Sequence, residues 1–294
     1  MATPHLHRAQ ELDVRSADGT RLHVEVRGPG DGPTVVFSHC WATSLASWGP
    51  VVRLLDPGLR VVLYDQRGHG RSQTPLTRAG YGTEKLADDL CAVLEATVPE
   101  GEKAVVAGHS MGGMTIMASA PRKTFQDRVG AVLLTNTGST DLPARSTAFP
   151  LPGPLGALGA KVFLTASLPL GPPGPVSAKV LKFLVLGKKA DARTARLCDR
   201  LVHDCGNVPR GEWGRVMTTL DLDDHVRRIT APTVVVGGSE DKLTPLWHAR
   251  HLGELLPNCE EVRELPELGH MGPLEAPDTL AELVGKLAIT HLRV

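Results

Sequence analysis

Aromatic side chains are scarce in this chain, at 4% of 294 residues. Base-stacking platforms need several rings on one surface, so single-stranded nucleic acid is not an expected ligand. A surplus of either charge is also missing, since 32 Lys+Arg balance 32 Asp+Glu. Without a basic excess there is little to hold a phosphate backbone or an anionic lipid surface, and neither is an expected partner. Only five cysteines occur (Cys40, Cys91, Cys198, Cys205 and Cys259), and no two have C-x-x-C spacing. That excludes the common zinc frameworks, and a chain of this length needs no disulfide staples, so a reducing cytoplasm is the expected location. Long apolar runs are absent too. The longest nearly uncharged region, from about 146 to 177, contains Lys161 and is broken by prolines and glycines. A membrane-spanning helix needs about 20 continuous apolar residues, so stable membrane insertion is not expected. The opening "MATPHLHRAQELDVRSADG" has no apolar segment of the kind a secretory leader carries.

What is present is a rhythm. "ELDVRSADGTRLHVEVRG" reads as two alternating runs around an Asp18-Gly19 turn, a β-hairpin. Short continuous apolar runs follow at 33–39, 59–66, 103–109, 130–137 and 232–241, with a last strand-like run in "VRELPEL". Such runs suit parallel strands covered on both faces. Helical patterns separate them. In "GTEKLADDLCAVLEATV" Leu86, Leu90, Val93 and Leu94 fall on one face, with Thr83 as the expected N-cap. "PDTLAELVGKLAITHL" (277–292) reads as a closing helix. The alternation predicts an α/β fold with a mostly parallel sheet and helices on both faces. Residues from about 138 to 222 break the rhythm with a Pro/Gly-rich apolar half and a charged helical half. The expected organisation is a core in two parts, 1–137 and 223–294, with a helical insertion, 138–222, between them.

One stretch carries chemistry. "KAVVAGHSMGGMTIMASA" places Ser110 between Gly108 and Gly112, where a strand gives way to a helix. Glycines permit the tight packing of such a corner, and the helix that follows aims free N–H groups and its positive dipole end at the serine. Ser110 is either an ordinary helix cap or an exposed nucleophile. A serine nucleophile needs a base. His270, in "LPELGHMGPLEAP", sits in a glycine-flanked loop after the last strand. Asp241, in "VVVGGSEDKLTP", follows the strand before it. In a parallel sheet such loops gather at one edge, where ligands bind. Glu240 and Asp141 are the competing carboxylates.

The chain order Ser110, Asp241, His270 is that of the α/β-hydrolase triad. With "FSHCW", "YDQRGHGRS", "GHSMGG", "GSEDKLTP" and "LGHMGPLEAP", from about 11 to 290, the sequence is similar to the lid-bearing serine esterase, lipase and peroxidase-like group of that superfamily. The resemblance implies a largely eight-stranded sheet with a helical lid inserted after the sixth strand, and neither metal nor cofactor. It implies an oxyanion hole made by the backbone N–H groups of Trp41 and Met111. It also implies His39, Cys40, Trp41, His109 and Met271 as residues beside the substrate. In many relatives the loop after the third strand reads His-Gly-X; here it reads His39-Cys40-Trp41. Glycine adopts positive φ where cysteine resists, so the Cys40 substitution leaves this loop's conformation open. Asp65, Arg67 and His69 read as structural pins. Asp141 lies where some hydrolases keep their acid.

Three activities fit. The first is hydrolysis of a small or hydrophobic carboxylic ester, thioester or lactone. The second is C–C bond hydrolysis or perhydrolysis on the same triad; perhydrolytic relatives often carry a proline in the oxyanion loop, and Ala42 follows Trp41 here. The third is a non-hydrolytic binding or biosynthetic role, which fold alone does not separate from the others. An apolar insertion over the site suits a hydrophobic small molecule.

Overall fold

Eight short runs become eight strands: β1 (Gln10–Arg15), β2 (Arg21–Arg27), β3 (Thr34–Ser38), β4 (Arg60–Tyr64), β5 (Ala104–His109), β6 (Val129–Thr135), β7 (Thr233–Gly238) and β8 (Cys259–Leu265). The computed structural model describes residues 9–149, 154–167 and 170–292. The N-terminal residues 1–8, parts of the Pro/Gly-rich stretch (150–153 and 168–169) and residues 293–294 lie outside the described residues. The strands form one sheet in the order β1-β2-β4-β3-β5-β6-β7-β8. β2 runs antiparallel to both β1 and β4, and every other pairing is parallel.

Strand periodicity builds two core layers from single strands. Val36 and Val106 pack toward helices Thr83–Thr97 and Met111–Ser119 on one face. Their neighbours Val35, Phe37, Val105 and Ala107 pack toward the helix Pro277–His291 on the other. The first of these helices begins at Thr83 itself, with Gly82 at the cap position. Thr83 is therefore the first helical residue and not the expected side-chain cap.

The strand order reverses between β3 and β5, because β3 leads outward to β4 and β5 leads the other way to β6. The loops leaving β3 and β5 diverge there and open a crevice at the strands' C-terminal ends. Between β6 and β7 the chain forms the helices Leu142–Arg145, Pro154–Thr165, Pro175–Val185, Ala192–His203, Asn207–Thr218 and Asp223–Val226. Asn207–Thr218 carries the buried Trp213, whose indole N–H donates to the Arg67 carbonyl at 3.0 Å. Arg67 is itself fully buried, pairing with Asp89 at 2.5 Å and Asp18 at 2.8 Å. Asp65 accepts from the Leu45 and Arg71 backbone N–H groups. The loop after β4 is thus pinned as expected. No helix among the described residues is long and apolar enough to cross a membrane.

Candidate active site

At the end of β5 the backbone turns through Ser110 with φ 52° and ψ −115°. A serine in that region stores about 1–3 kcal/mol of strain, so its surroundings must hold it there. Ser110 N–H donates to the Thr135 carbonyl at 3.0 Å, and the Ser110 carbonyl accepts from Met114 N–H at 3.1 Å and from the Thr137 hydroxyl at 2.7 Å. The flanking glycines are needed for space. A Cβ on Gly112 would sit 2.1 Å from the Ser38 carbonyl oxygen, and one on Gly108 would sit 2.6 Å from that of Gly112.

Three side chains meet at this corner. Ser110 Oγ lies 3.0 Å from His270 Nε2. On the far side of the ring, His270 Nδ1 lies 2.9 Å from Asp241 Oδ2 and 3.1 Å from Oδ1. An Nδ1–H donating to the carboxylate leaves Nε2 as the acceptor facing the serine hydroxyl. Asp241 is fixed in turn: Oδ1 accepts from the Leu243 and Thr244 N–H groups, both at 2.9 Å, and Oδ2 from the Thr244 hydroxyl at 2.8 Å and Asn136 Nδ2 at 3.0 Å. Burial would raise this carboxyl's pKa. The His270 ring beside it and these hydrogen bonds outweigh burial and hold it below its ordinary value. The three residues are 4–5% exposed, close enough to the surface for a ligand to reach the serine.

The competing carboxylates lie elsewhere. Glu240 accepts from Lys188 N–H at 2.6 Å and pairs with the Lys188 ammonium at 3.2 Å. Asp141 is an exposed left-handed residue ahead of the helix Leu142–Arg145.

Two supporting residues have no motif of their own in the sequence. Asn136, at φ 48°, donates to Asp241 and also to the Gly269 carbonyl at 2.9 Å. Glu275 is the second. Its Oε2 accepts from the N–H groups of Gly187 at 2.7 Å and Gly269 at 3.3 Å, and its Oε1 from that of Met271 at 3.0 Å. It therefore brackets His270 on both sides. Burial pushes this carboxyl's pKa up, against the pull of those N–H donors.

The loop after β3 answers the question that Cys40 raises. Cys40 is not at positive φ; the positive φ falls on Ala42, at 57°. His69 supports that residue, with Nε2 accepting from Ala42 N–H at 3.2 Å and Nδ1 donating to the Arg67 carbonyl at 3.2 Å. Glycine is therefore not required at position 40. Burial pushes the Cys40 thiol up to about 12, so it stays protonated at neutral pH and packs beside Thr43. Among the described residues, the backbone N–H groups of Trp41 and Met111 have no protein acceptor. Two donors without protein partners beside Ser110 can receive a developing oxyanion.

A cavity of about 190 Å³ opens onto Ser110 and His270. Cys40, Trp41 and Met271 line it. The rest of the wall is mostly apolar, including Met114, Leu142, Phe163, Leu164, Leu181 and Val185, with Arg210 at its side. His39 and His109 do not line the cavity, which corrects their assignment beside the substrate. Each is fully buried behind the wall and committed to backbone. His39 Nδ1 donates to the Cys40 carbonyl at 2.7 Å and Nε2 accepts from Gln66 N–H at 2.9 Å. His109 Nε2 donates to the His270 carbonyl at 2.7 Å. Burial pushes their pKa values down to about 4 and about 3.

Away from the cavity, Glu11, His23 and Glu25 bring ligand atoms within 4.8 Å of one another. Arg71 lies against both glutamates, at 2.5 Å from Glu11 and 3.9 Å from Glu25. The Arg71 guanidinium thus already offsets the negative charge of this pair.

The sheet, its reversal at β3 and β5, and the serine–histidine–aspartate series at the strand ends are the architecture of the α/β hydrolases. A model described as "Alpha/beta hydrolase family" matches residues 35–283, and the chain belongs to that family. Its relatives include RutD of Variovorax paradoxus, named as a carbamate hydrolase, at 31% identity over 255 residues, 85% of this chain and 89% of that one. The 3-oxoadipate enol-lactonase 2 of Acinetobacter baylyi is 25% identical over 276 residues, 92% of this chain and 94% of its own. Among solved structures, an esterase from Exiguobacterium antarcticum superposes with a TM-score of 0.78 at 21% identity, covering 96% of this chain and all of that one.

Proposed function

We propose that this protein is a serine hydrolase that cleaves a carboxylic ester, thioester or lactone with a hydrophobic acyl or alcohol portion. The observation that carries the reading is the continuous hydrogen-bonded series Ser110–His270–Asp241 at the floor of an apolar cavity. His270 Nε2 takes the Ser110 proton as Oγ attacks the acyl carbon. Asp241 holds the ring in the required tautomer and stabilises the imidazolium. The Trp41 and Met111 N–H groups bind the oxyanion, each contributing about 3 kcal/mol. His270 then passes its proton to the leaving oxygen or sulfur. Water, deprotonated by the same ring, cleaves the acyl-enzyme and restores Ser110. The named activities of the carbamate-hydrolase, enol-lactonase and esterase relatives all involve attack at an acyl carbon, which supports this class of reaction. The helical insertion, residues 138–222, acts as a lid on a core formed by 1–137 and 223–294. The apolar residues it contributes to the cavity favour a hydrophobic substrate.

The test is hydrolysis of p-nitrophenyl esters from acetate to decanoate by wild type and Ser110→Ala. Wild type is expected to turn over, with an optimum chain length that measures the cavity. The variant is expected to lose about 10³-fold or more in kcat. An inert wild type whose Ser110 also resists a fluorophosphonate probe would sink the proposal.

A further inference from the structure

The balanced charge of the whole chain conceals a local imbalance. Between Asp141 and Asp191 there is no Asp or Glu, whereas Arg145, Lys161, Lys179, Lys182, Lys188 and Lys189 all fall there. Lys188 and Lys189 pair with Glu240 and Glu267 of the core. Lys161 and Lys179 are exposed, and no described carboxylate lies within ion-pair distance of either.

The same segment has apolar residues on the wrong side. Leu155, Leu158 and Val162 recur at i, i+3 and i+7 on the helix Pro154–Thr165, and each is more than half exposed. Val176, Val180 and Phe183 recur at i, i+4 and i+7 on the helix Pro175–Val185, again each more than half exposed. Spacings of this kind place each trio on one helical face. Both helices already spend another face on the cavity, through Phe163 and Leu164 on the first and Leu181 and Val185 on the second. Each is therefore apolar on two sides, which a helix bathed in water on one side has no reason to be. A further cation flanks the second patch, with the Lys242 ammonium 3.8 Å from the Phe183 ring centre.

We propose that these two helices form a docking surface for an anionic phospholipid bilayer, lying on it without crossing it. Apolar side chains enter the headgroup boundary while flanking lysines meet the phosphates. Charge selects this occupant over a second copy of the chain, because two such faces would bring lysine against lysine. Docking there would set the cavity beneath these helices against the lipid, a source of apolar substrates. The proposal departs from the expectation drawn from net charge, which averages over a chain whose acids and bases are unevenly placed. The inference rests on the outer helix faces and not on the chemistry of Ser110, so the two readings fail separately.

The experiment is vesicle flotation with the full chain carrying Ser110→Ala, so that no lipid is cleaved. The vesicles are equimolar phosphatidylcholine and phosphatidylglycerol, or phosphatidylcholine alone. Binding to the anionic vesicles is expected to be at least about fivefold greater and to be lost at high salt. Val180→Ser with Phe183→Ser, and separately Lys161→Glu with Lys179→Glu, should each reduce it at least about fivefold. Placed in wild type, both pairs should leave hydrolysis of a short soluble ester unchanged. Equal binding to the two vesicle types, or full binding by both variants, overturns the proposal. So does a concentration-dependent dimer that the Val180→Ser, Phe183→Ser pair abolishes, since the face would then belong to a second copy.

Discussion

Ala42 bears the strained backbone of the loop after β3, at φ 57°, beside a Cys40 that needs no such conformation. Glycine substitutions at the two positions should therefore act in opposite directions. Ala42→Gly removes a left-handed penalty of about 1–2 kcal/mol and restores about half of it as unfolded-chain entropy, so it should be neutral or stabilising. Cys40→Gly gains nothing from freedom at φ and loses a buried thiol's contacts, so it should cost about 1 kcal/mol or more. Urea unfolding of both variants checks this, and a more stable Cys40→Gly would contradict it. Single residues were legible where a motif forces them. Ser110 and His270 interrupt glycine-flanked corners, and Asp241 follows an unmistakable strand. His39 and His109 misled because adjacency along the chain does not say which way a ring points. Both sit next to cavity residues and face the core. Asn136 and Glu275 left no pattern, because their role lies in a left-handed φ and in backbone donors reached only after folding.

At the scale of elements, the short helix Gly272–Glu275 holds the His270 loop from below, with one carboxylate serving three backbone N–H groups from two segments. Glu275→Gln keeps the shape but turns an NH₂ group toward those donors. Each buried N–H left unsatisfied costs about 1–3 kcal/mol. The expected result is a lower melting temperature together with a fall in kcat of about tenfold and little change in KM, because the histidine is displaced while the cavity wall remains. A melting temperature and kcat both equal to wild type would show that the carboxylate does not position His270. The strands were readable because β-branched runs have few alternatives, and the hairpin because Asp18-Gly19 favours a tight turn, with Gly19 at φ 82°. The insertion was readable only as an interruption. Its prolines and glycines obscure helical periodicity, and Gly211 and Gly214 serve close packing: a Cβ on Gly214 would sit 1.7 Å from the Leu164 carbonyl oxygen.

For the molecule as a whole, burial has placed several neutral histidines in the frame around the site. His39 and His248 are pushed from 6.5 down to about 4, and His69 and His109 to about 3, each chiefly by burial. Below pH about 6.5 the unfolded chain binds protons at these positions that the folded chain refuses. Stability therefore rises with pH across that window and is lost as pH falls from about 6.5 toward 4, by up to about 1.4 kcal/mol per unit for each histidine. Urea midpoints should be flat above pH about 7 and drop steeply below about 6. Equal midpoints at both ends would mean that these rings are protonated in the fold. Net charge, by contrast, says nothing of local balance at this scale, because the basic surplus of residues 142–190 is cancelled by acids elsewhere.

The separation of the three site residues along the chain has a kinetic consequence. Ser110 is 160 positions from His270, and His270 is 29 from Asp241. The serine's corner can form from β5 and the helix after it, but its partners arrive only when β7 and β8 have joined the sheet. Long-range closures of this kind come late, since their entropy is lost before their contacts form. During refolding from denaturant, recovery of backbone signal should thus run ahead of recovery of turnover, and the interval between them would time the addition of the final two strands.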